Sequence, residues 1–254
     1  IYHDGSNSYV SDTGDGYLVL MSNGPGIRLN SGTTAEVMID AVPEGAVSLY
    51  HDNSKKIETT SSGVTVTGAV TSAGLHSTTS GTSNFIAGVN AGNSIASGGN
   101  YNTVIGDEAG TAITTGDGNV AVGFEALSTE DADGSNTAVG FQALKTLNAG
   151  TAGYNTAVGS EAGELITTGV KNILIGGLAG DAITDADGNV AMGHSTLSSN
   201  VLGSYSVAVG FRALNNQRPV DGSGNDVATD MYNTAVGTDA GVSVTTGTLN
   251  TLMG

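Results

Sequence analysis

The run Asn155-Thr156-Ala157-Val158-Gly159 constrains this chain more than any other feature, because it keeps returning. Clear copies stand at Asn102–Gly106, Asn119–Gly123, Asn136–Gly140, Asn172–Gly176, Asn189–Gly193, Ser206–Gly210, Asn233–Gly237 and Asn250–Gly254. Asn84–Gly88 is a degenerate first copy, which makes ten. Successive closing glycines are 18, 17, 17, 19, 17, 17, 17, 27 and 17 residues apart. Self-similarity at a short fixed period means that one unit cannot bury its own apolar face and that stacking does so instead. The chain is therefore expected to be all-β, with residues 84–254 forming a parallel β-solenoid or β-roll of coils about 17 residues long.

Each copy has a second half of one of two kinds. One kind runs Ala-Gly-x-x-Ile/Val-Thr, as in Ala109-Gly110 to Ile113-Thr114, and recurs from Ala162, Ala179 and Ala240, more weakly from Ala91. The other places a Leu where the first has Gly: Leu127, Leu144, Leu197 and Leu214. The kinds come in pairs, giving a four-copy superperiod that two turns of different shape, each used twice, would produce. Within the strand, the third and fourth residues are both apolar and point to opposite faces. The expectation is that one face fills the coil and that the small-residue face meets neighbouring chains. The recurring Asn can stack its amide up and down the column.

Residues 1–68 read differently, as short alternating strands split by turns: 17–21, 27–29, 36–39, 47–50, 57–59 and 64–67. Residues 69–83 are Ser-, Thr-, Gly- and Ala-rich and read as a joint. The first stretch has too few large apolar residues for a core of its own. Three chains winding together and sharing one core would stabilise it. Tyr2-His3-Asp4-Gly5-Ser6 returns as Tyr50-His51-Asp52-Asn53-Ser54. A His-Asp metal or acid-base pair is one reading; a turn is the simpler one, because neighbouring strand residues face opposite ways.

Glycine, 40 of 254 residues, suits many tight turns, and the 3 prolines without a Gly-X-Y period exclude collagen. The net charge of −17 with seven basic residues leaves no basic patch for nucleic acid or an anionic membrane. No apolar run reaches the length of a membrane span. The absence of Cys removes disulfides, zinc-thiolate sites and thiol nucleophiles. The chain opens on Ile1 and ends inside a repeat at Gly254, and so reads as a piece of a longer protein.

The segments from Tyr2 to Tyr9, Tyr50 to Thr60 and Gly63 to Gly68, in that order, resemble bacteriophage tail fibres, especially those of marine phages. The Asn-Thr-Ala-Val-Gly repeats are similar to arrays in phage tail proteins and to the heads of trimeric autotransporter adhesins. Those heads use shorter repeats, so the winding here is expected to differ. The resemblance implies a homotrimeric virion fibre outside the cell, joined to other tail proteins and reading a host surface receptor, a glycan among the candidates. A bacterial surface adhesin is the alternative.

Several chemistries fit short stretches of the sequence. Acidic turns at Glu130–Asn136 and Asp185–Asn189 have carboxylates two apart, as Ca²⁺ ligands can be, but no full calcium loop follows, and no cofactor is expected. Glu108, Glu125 and Glu161 share one offset but sit in separate copies, and four scattered His form no triad, so no catalytic residue is assigned. Thr114-Thr115, Thr167-Thr168 and Thr245-Thr246 suggest a threonine array; Phe124, Phe141 and Phe211 suggest a sugar-stacking stripe. A solvated face and filler between coils are the simpler readings of these two. Variation concentrates in two insertions, residues 145–154 and 215–232. Loops on a rigid scaffold commonly carry binding. Arg218, Asp221, Asp226, Asp230 and Tyr232 in the larger one are the candidate receptor-binding residues, and a spacer or cap is the competing reading. The structural positions are Asn102, Gly106, Asn119, Gly123, Asn136, Gly140, Asn155, Gly159, Asn172, Gly176, Asn189, Gly193, Gly210, Asn233 and Gly237.

Overall fold

The computed structural model describes residues 2–3, 5–11, 13–32, 36–68, 80–150 and 152–254. The chain divides into two units, residues 1–73 and 74–254. Among the described residues there is no helix, so none is long and apolar enough to cross a membrane. The joint expected at 69–83 lies outside the described residues from 69 to 79, His76 with it. Residues 80–83 are described, and Thr82 already bonds the first coil through its N–H to Asn100 Oδ1 at 2.8 Å.

The first unit holds an antiparallel pair, Tyr2–His3 with Ser8–Tyr9, and a five-stranded antiparallel meander. Its strands are Ile27–Asn30, Val37–Ala41, Val47–His51, Ser54–Thr60 and Gly63–Val66. The hairpin at Asp52-Asn53 turns on two positive-φ residues, the type I′ geometry that matches strand twist. Register brings Leu29, Ile39, Leu49, Ile57 and Val66 side by side across all five strands. Among the described residues of this unit only Ser48 is buried, so the apolar row is uncovered in the single chain. Residues 17–21, expected as a strand, are not one: Tyr17 and Met21 stand 92% and 89% exposed. An apolar run of this length, Tyr17-Leu18-Val19-Leu20-Met21, becomes a strand only where an edge offers pairing and a face offers burial, and its residues are all exposed.

The second unit is a stack of ten coils. Each contributes one three-residue strand, from Phe85–Ala87 at one end to Thr251–Met253 at the other, to a single ten-stranded parallel sheet. Equivalent residues stack in register: Thr156, Ala157 and Val158 lie on Thr137, Ala138 and Val139. The turns also bond coil to coil, as in Glu125 N–H to Asp107 O at 3.1 Å. At about 4.8 Å per strand the column is roughly 45 Å tall. The closing glycines are needed for two reasons. Gly106 has φ +128°, and a Cβ there would sit 2.6 Å from the Gly123 carbonyl oxygen.

The third strand residue points inward and is fully buried, whether Val104, Ala121, Ala138, Ala157 or Leu174. The second and fourth point outward and are half-exposed or exposed. This reverses the expected orientation of the small-residue face. A coil of 17 residues is narrow, so inner positions take mostly Ala and the larger Val, Ile and Met go outside. Beyond the strand, the core receives an Ala three residues after most closing glycines, Thr196 being the exception, and one large side chain in most coils; the 19-residue coil after Gly140 buries two, Leu144 and Leu147.

That large side chain explains the two kinds of coil. Four residues after the closing glycine φ is positive in both kinds: 51° at Gly110, 53° at Leu127, 60° at Gly163 and 53° at Leu197. The turn is thus one shape, not the two expected, and the difference is which residue fills the core. In the Ala-Gly kind, Ile113, Ile166 or Ile183 reaches in from three residues later. A Cβ at Gly110 would lie 2.8 Å from Ile113 Cδ1, so a side chain there competes with the Ile for the same space. In the other kind the Leu itself fills the core. The left-handed Leu costs roughly 1–2 kcal/mol, and burying it returns about 1.5–3 kcal/mol.

Candidate functional site

The buried Asn column determines where every other side chain stands. Asn155 Oδ1 accepts the Asn172 N–H at 2.9 Å, and its Nδ2 donates to Gly169 O at 2.9 Å. Asn102, Asn119, Asn172 and Asn189 repeat both bonds, so each amide joins one coil to the next. Amide-to-amide bonds also run along the column, such as Asn250 Nδ2 to Asn233 Oδ1 at 3.0 Å. The column breaks at Ser206. There Gln217, fully buried, accepts from Ser206 Oγ at 3.1 Å and from Asn233 Nδ2 at 2.8 Å. Sequence reading missed Gln217 as a column member. The signal was its offset, seven residues after a closing glycine, where the other kind of coil carries its core Ile.

Gln217 and the buried Met231 fix the two ends of the larger insertion. Between them the chain folds back on itself. Val220 and Asp226 form an antiparallel bridge, and Val227 N–H bonds Pro219 O at 2.9 Å. Arg218 grips Asp226 with two bonds, Nε to Oδ1 at 2.7 Å and Nη2 to Oδ2 at 3.0 Å. The pair holds the Asp226 carboxyl below its ordinary pKa. Asp221 Oδ1 accepts the N–H groups of Ser223 and Asn225 at 2.8 and 2.9 Å, and its Oδ2 accepts Asn225 Nδ2. The Asn225 side chain, first, and these amides lower its pKa. Tyr232 donates its hydroxyl to Asp230 at 3.2 Å, which raises the phenol's pKa. All five candidate receptor-binding residues therefore lie in one loop, with their polar groups engaged within it. Residues 221–225 at its tip are exposed.

The second surface is the outer face of the sheet. Its fourth-position residues Val122, Val139, Val158, Ile175, Met192, Val209 and Val236 form one column; in the column beside it Val120, Ile173, Val190 and Val207 are interspersed with Thr, which stands at 103, 137, 156 and 234. Val158 is 37% exposed and Ile173 40%. Two positions before and after the strands stand exposed rings. Phe124 stacks on Phe141 with centroids 5.5 Å apart, His194 on Phe211 at 5.9 Å, and Tyr205 on Tyr232 at 5.5 Å. Stacked in this way the rings turn faces toward each other, which removes a face that a sugar would need.

The remaining candidates are also committed. Thr167 and Thr168 both donate to Asp185 of the next coil, at 2.6 and 2.8 Å, and Thr114 donates to Asp131. The Thr pair holds Asp185 below its ordinary pKa. Asp187 caps Val170 N–H at 2.8 Å. Glu108 accepts from Asn90, and Glu125 from Gln142 and Lys145, so the carboxylates at that offset pair along the column. His51 and Asp52 come within 3.7 Å, both well exposed; His3 meets Ser8, and Asp4 lies outside the described residues. Among the described residues no three His, Asp or Glu side chains are grouped to hold a metal ion. Glu130 and Asp133 differ from all these acids in being buried.

Fold and surfaces together define a parallel β-solenoid with one apolar sheet face and one large self-braced loop. No family model, curated protein or solved structure matches the chain.

Proposed function

We propose that this chain is a structural segment of a homotrimeric bacteriophage tail fibre, exposed at the virion tail, joined to other tail proteins and presenting a host-recognition loop. The observation that carries the reading is the outer sheet face. Ten strands of three residues give a footprint on the order of 450 Å² at strand spacings of about 4.8 Å. Within it the fourth-position column is apolar throughout, and Val120, Ile173, Val190 and Val207 widen it between Thr positions; the largest apolar patch on a soluble chain is often its interface. A net charge of −17 elsewhere keeps such a chain soluble and disfavours casual sticking. The uncovered row Leu29, Ile39, Leu49, Ile57 and Val66 calls for the same kind of partner. The solenoid face repeats along the chain in a way that an identical neighbour, carrying the same repeats at the same heights, would match. The resemblance of residues 2–68 to phage fibres selects the kind of fibre.

Two neighbouring substitutions test the assembly. Ala157→Asp places a carboxylate inside the coil and is expected to unfold the chain, because an unpartnered buried charge costs several kcal/mol. Val158→Asp points outward and is expected to leave the coils folded while dissociating the trimer. Light scattering with circular dichroism separates the two. A wild-type chain that is a stable folded monomer at micromolar concentration would overturn the trimer.

A further inference from the structure

Seven residues after its closing glycine, the coil that follows Gly123 places Glu130 where the coil beneath it places the core residue Ile113. Glu130 is fully buried, and Asp133, three residues on in the same turn, is 5% exposed. Glu130 Oε1 accepts the Asp133 N–H at 2.8 Å. Glu130 Oε2 and Asp133 Oδ2 have no hydrogen-bond partner. We propose that Glu130 and Asp133 share one proton at neutral pH, and that this proton holds their turn closed against the coil stack.

Two buried carboxylates in one turn repel, and neither can be solvated. One proton turns that repulsion into a charge-assisted O–H···O⁻ bond and satisfies both orphaned oxygens. The surrounding charges cannot substitute for it. Asp131 of the same turn accepts from Thr114; Asp117 of the coil beneath accepts Asn100 N–H; Lys145 of the coil above is held by Glu125 at 2.6 Å. Burial first, and the Asp133 charge second, push the Glu130 carboxyl from 4.5 up to about 7. The sign follows. Below about 4.5 the group is protonated in both folded and unfolded chains. Between 4.5 and about 7 the folded chain keeps a proton that the unfolded chain releases, so stability falls as pH rises through that window.

The position accepts an amide elsewhere: Asn200 and Gln217 occupy it, fully buried, in later coils. Glu130→Gln is therefore expected to fold. Melting temperatures of wild type and Glu130→Gln, measured from pH 5 to pH 9, test the proposal on the assembled protein. The variant should gain on wild type progressively above pH 5, and the gap should level off above about pH 7. Asp133→Asn, which places an amide donor beside Glu130, should narrow the wild-type slope in the same way. A difference between wild type and both variants that is the same at every pH would overturn the shared proton. So would calcium chloride raising the melting temperature of wild type at pH 8 but not that of Glu130→Gln, since the pair would then hold a metal cation.

Discussion

A single Asn side chain can do at each coil what no other short residue can, since it offers an acceptor and two donors on one carbon of reach. Asn155 uses both, taking the Asn172 N–H and giving to the Gly169 carbonyl while almost wholly buried. Asn155→Ala leaves both backbone groups without a partner in a place that water does not reach. Each such orphan costs about 1–3 kcal/mol, so the substitution is expected to destabilise by about 2–5 kcal/mol per chain, seen as a large drop in melting temperature. Asn155→Asp keeps the acceptor and loses the donor, and it buries a charge; it is expected to do no better than Ala. The stacked amides were legible in the sequence, because Asn recurs at one offset. The substitution of Gln217 for the missing Asn at 206 was not, because the replacement enters from eleven residues away and only the folded loop brings it there.

At the scale of the coil, one core slot can be filled from either of two positions, and the sequence shows both solutions. Leu197 and Ile183 are both fully buried, one from four residues after a closing glycine and the other from seven. Leu197→Gly alone empties the slot and is expected to cost about 2–5 kcal/mol, the range for large-to-small changes in a core. Asn200→Ile alone puts two large side chains in a 17-residue coil, an arrangement that Leu144 and Leu147 make only in the longer coil after Gly140, and removes the amide that bonds both Gly203 N–H and Gly203 O. The double variant rebuilds the Gly-x-x-Ile half of the Ala-Gly kind of coil, with Thr196 in the place of its Ala. Its melting temperature is expected to exceed the additive expectation from the singles, with a coupling of about 1–3 kcal/mol in denaturation. A sum that is strictly additive would show that the two positions do not share one space. Coil length, strand position and stacking could be read from the glycine steps alone. The inward face could not, since alternation says only that Ala157 and Val158 point opposite ways. The width of the coil decides which goes in, and width is a property of the closed turn. The same gap explains residues 17–21, whose apolar run forms no strand because pairing and burial come from elsewhere in the fold.

At the scale of the molecule, the regular surfaces are spent on stacking or left flat, and the loop between Gln217 and Met231 is the largest departure from the repeat. Its bracing suits a binding element, because a receptor meeting an ordered loop does not bear the entropy of ordering it. Exposed ion pairs contribute little to stability, typically below about 1 kcal/mol. The Arg218–Asp226 grip therefore shapes the loop more than it holds the fold, and the tip can change while the column stays intact. Replacing residues 220–226 by a short Gly-Ser turn keeps Gln217 in the Asn column and Met231 in its seat, along with the Pro219–Val227 closure at the base. The variant is expected to melt within a few degrees of wild type and to remain the same oligomer. If the loop reads the host, attachment to host cells should fall sharply in a binding assay. A spacer or cap would instead leave attachment unchanged. That result would place recognition on another surface, since Thr114, Thr167, Thr168, Glu108 and Glu125 are already bonded, and Phe124, Phe141, His194 and Phe211 stacked, along the axis.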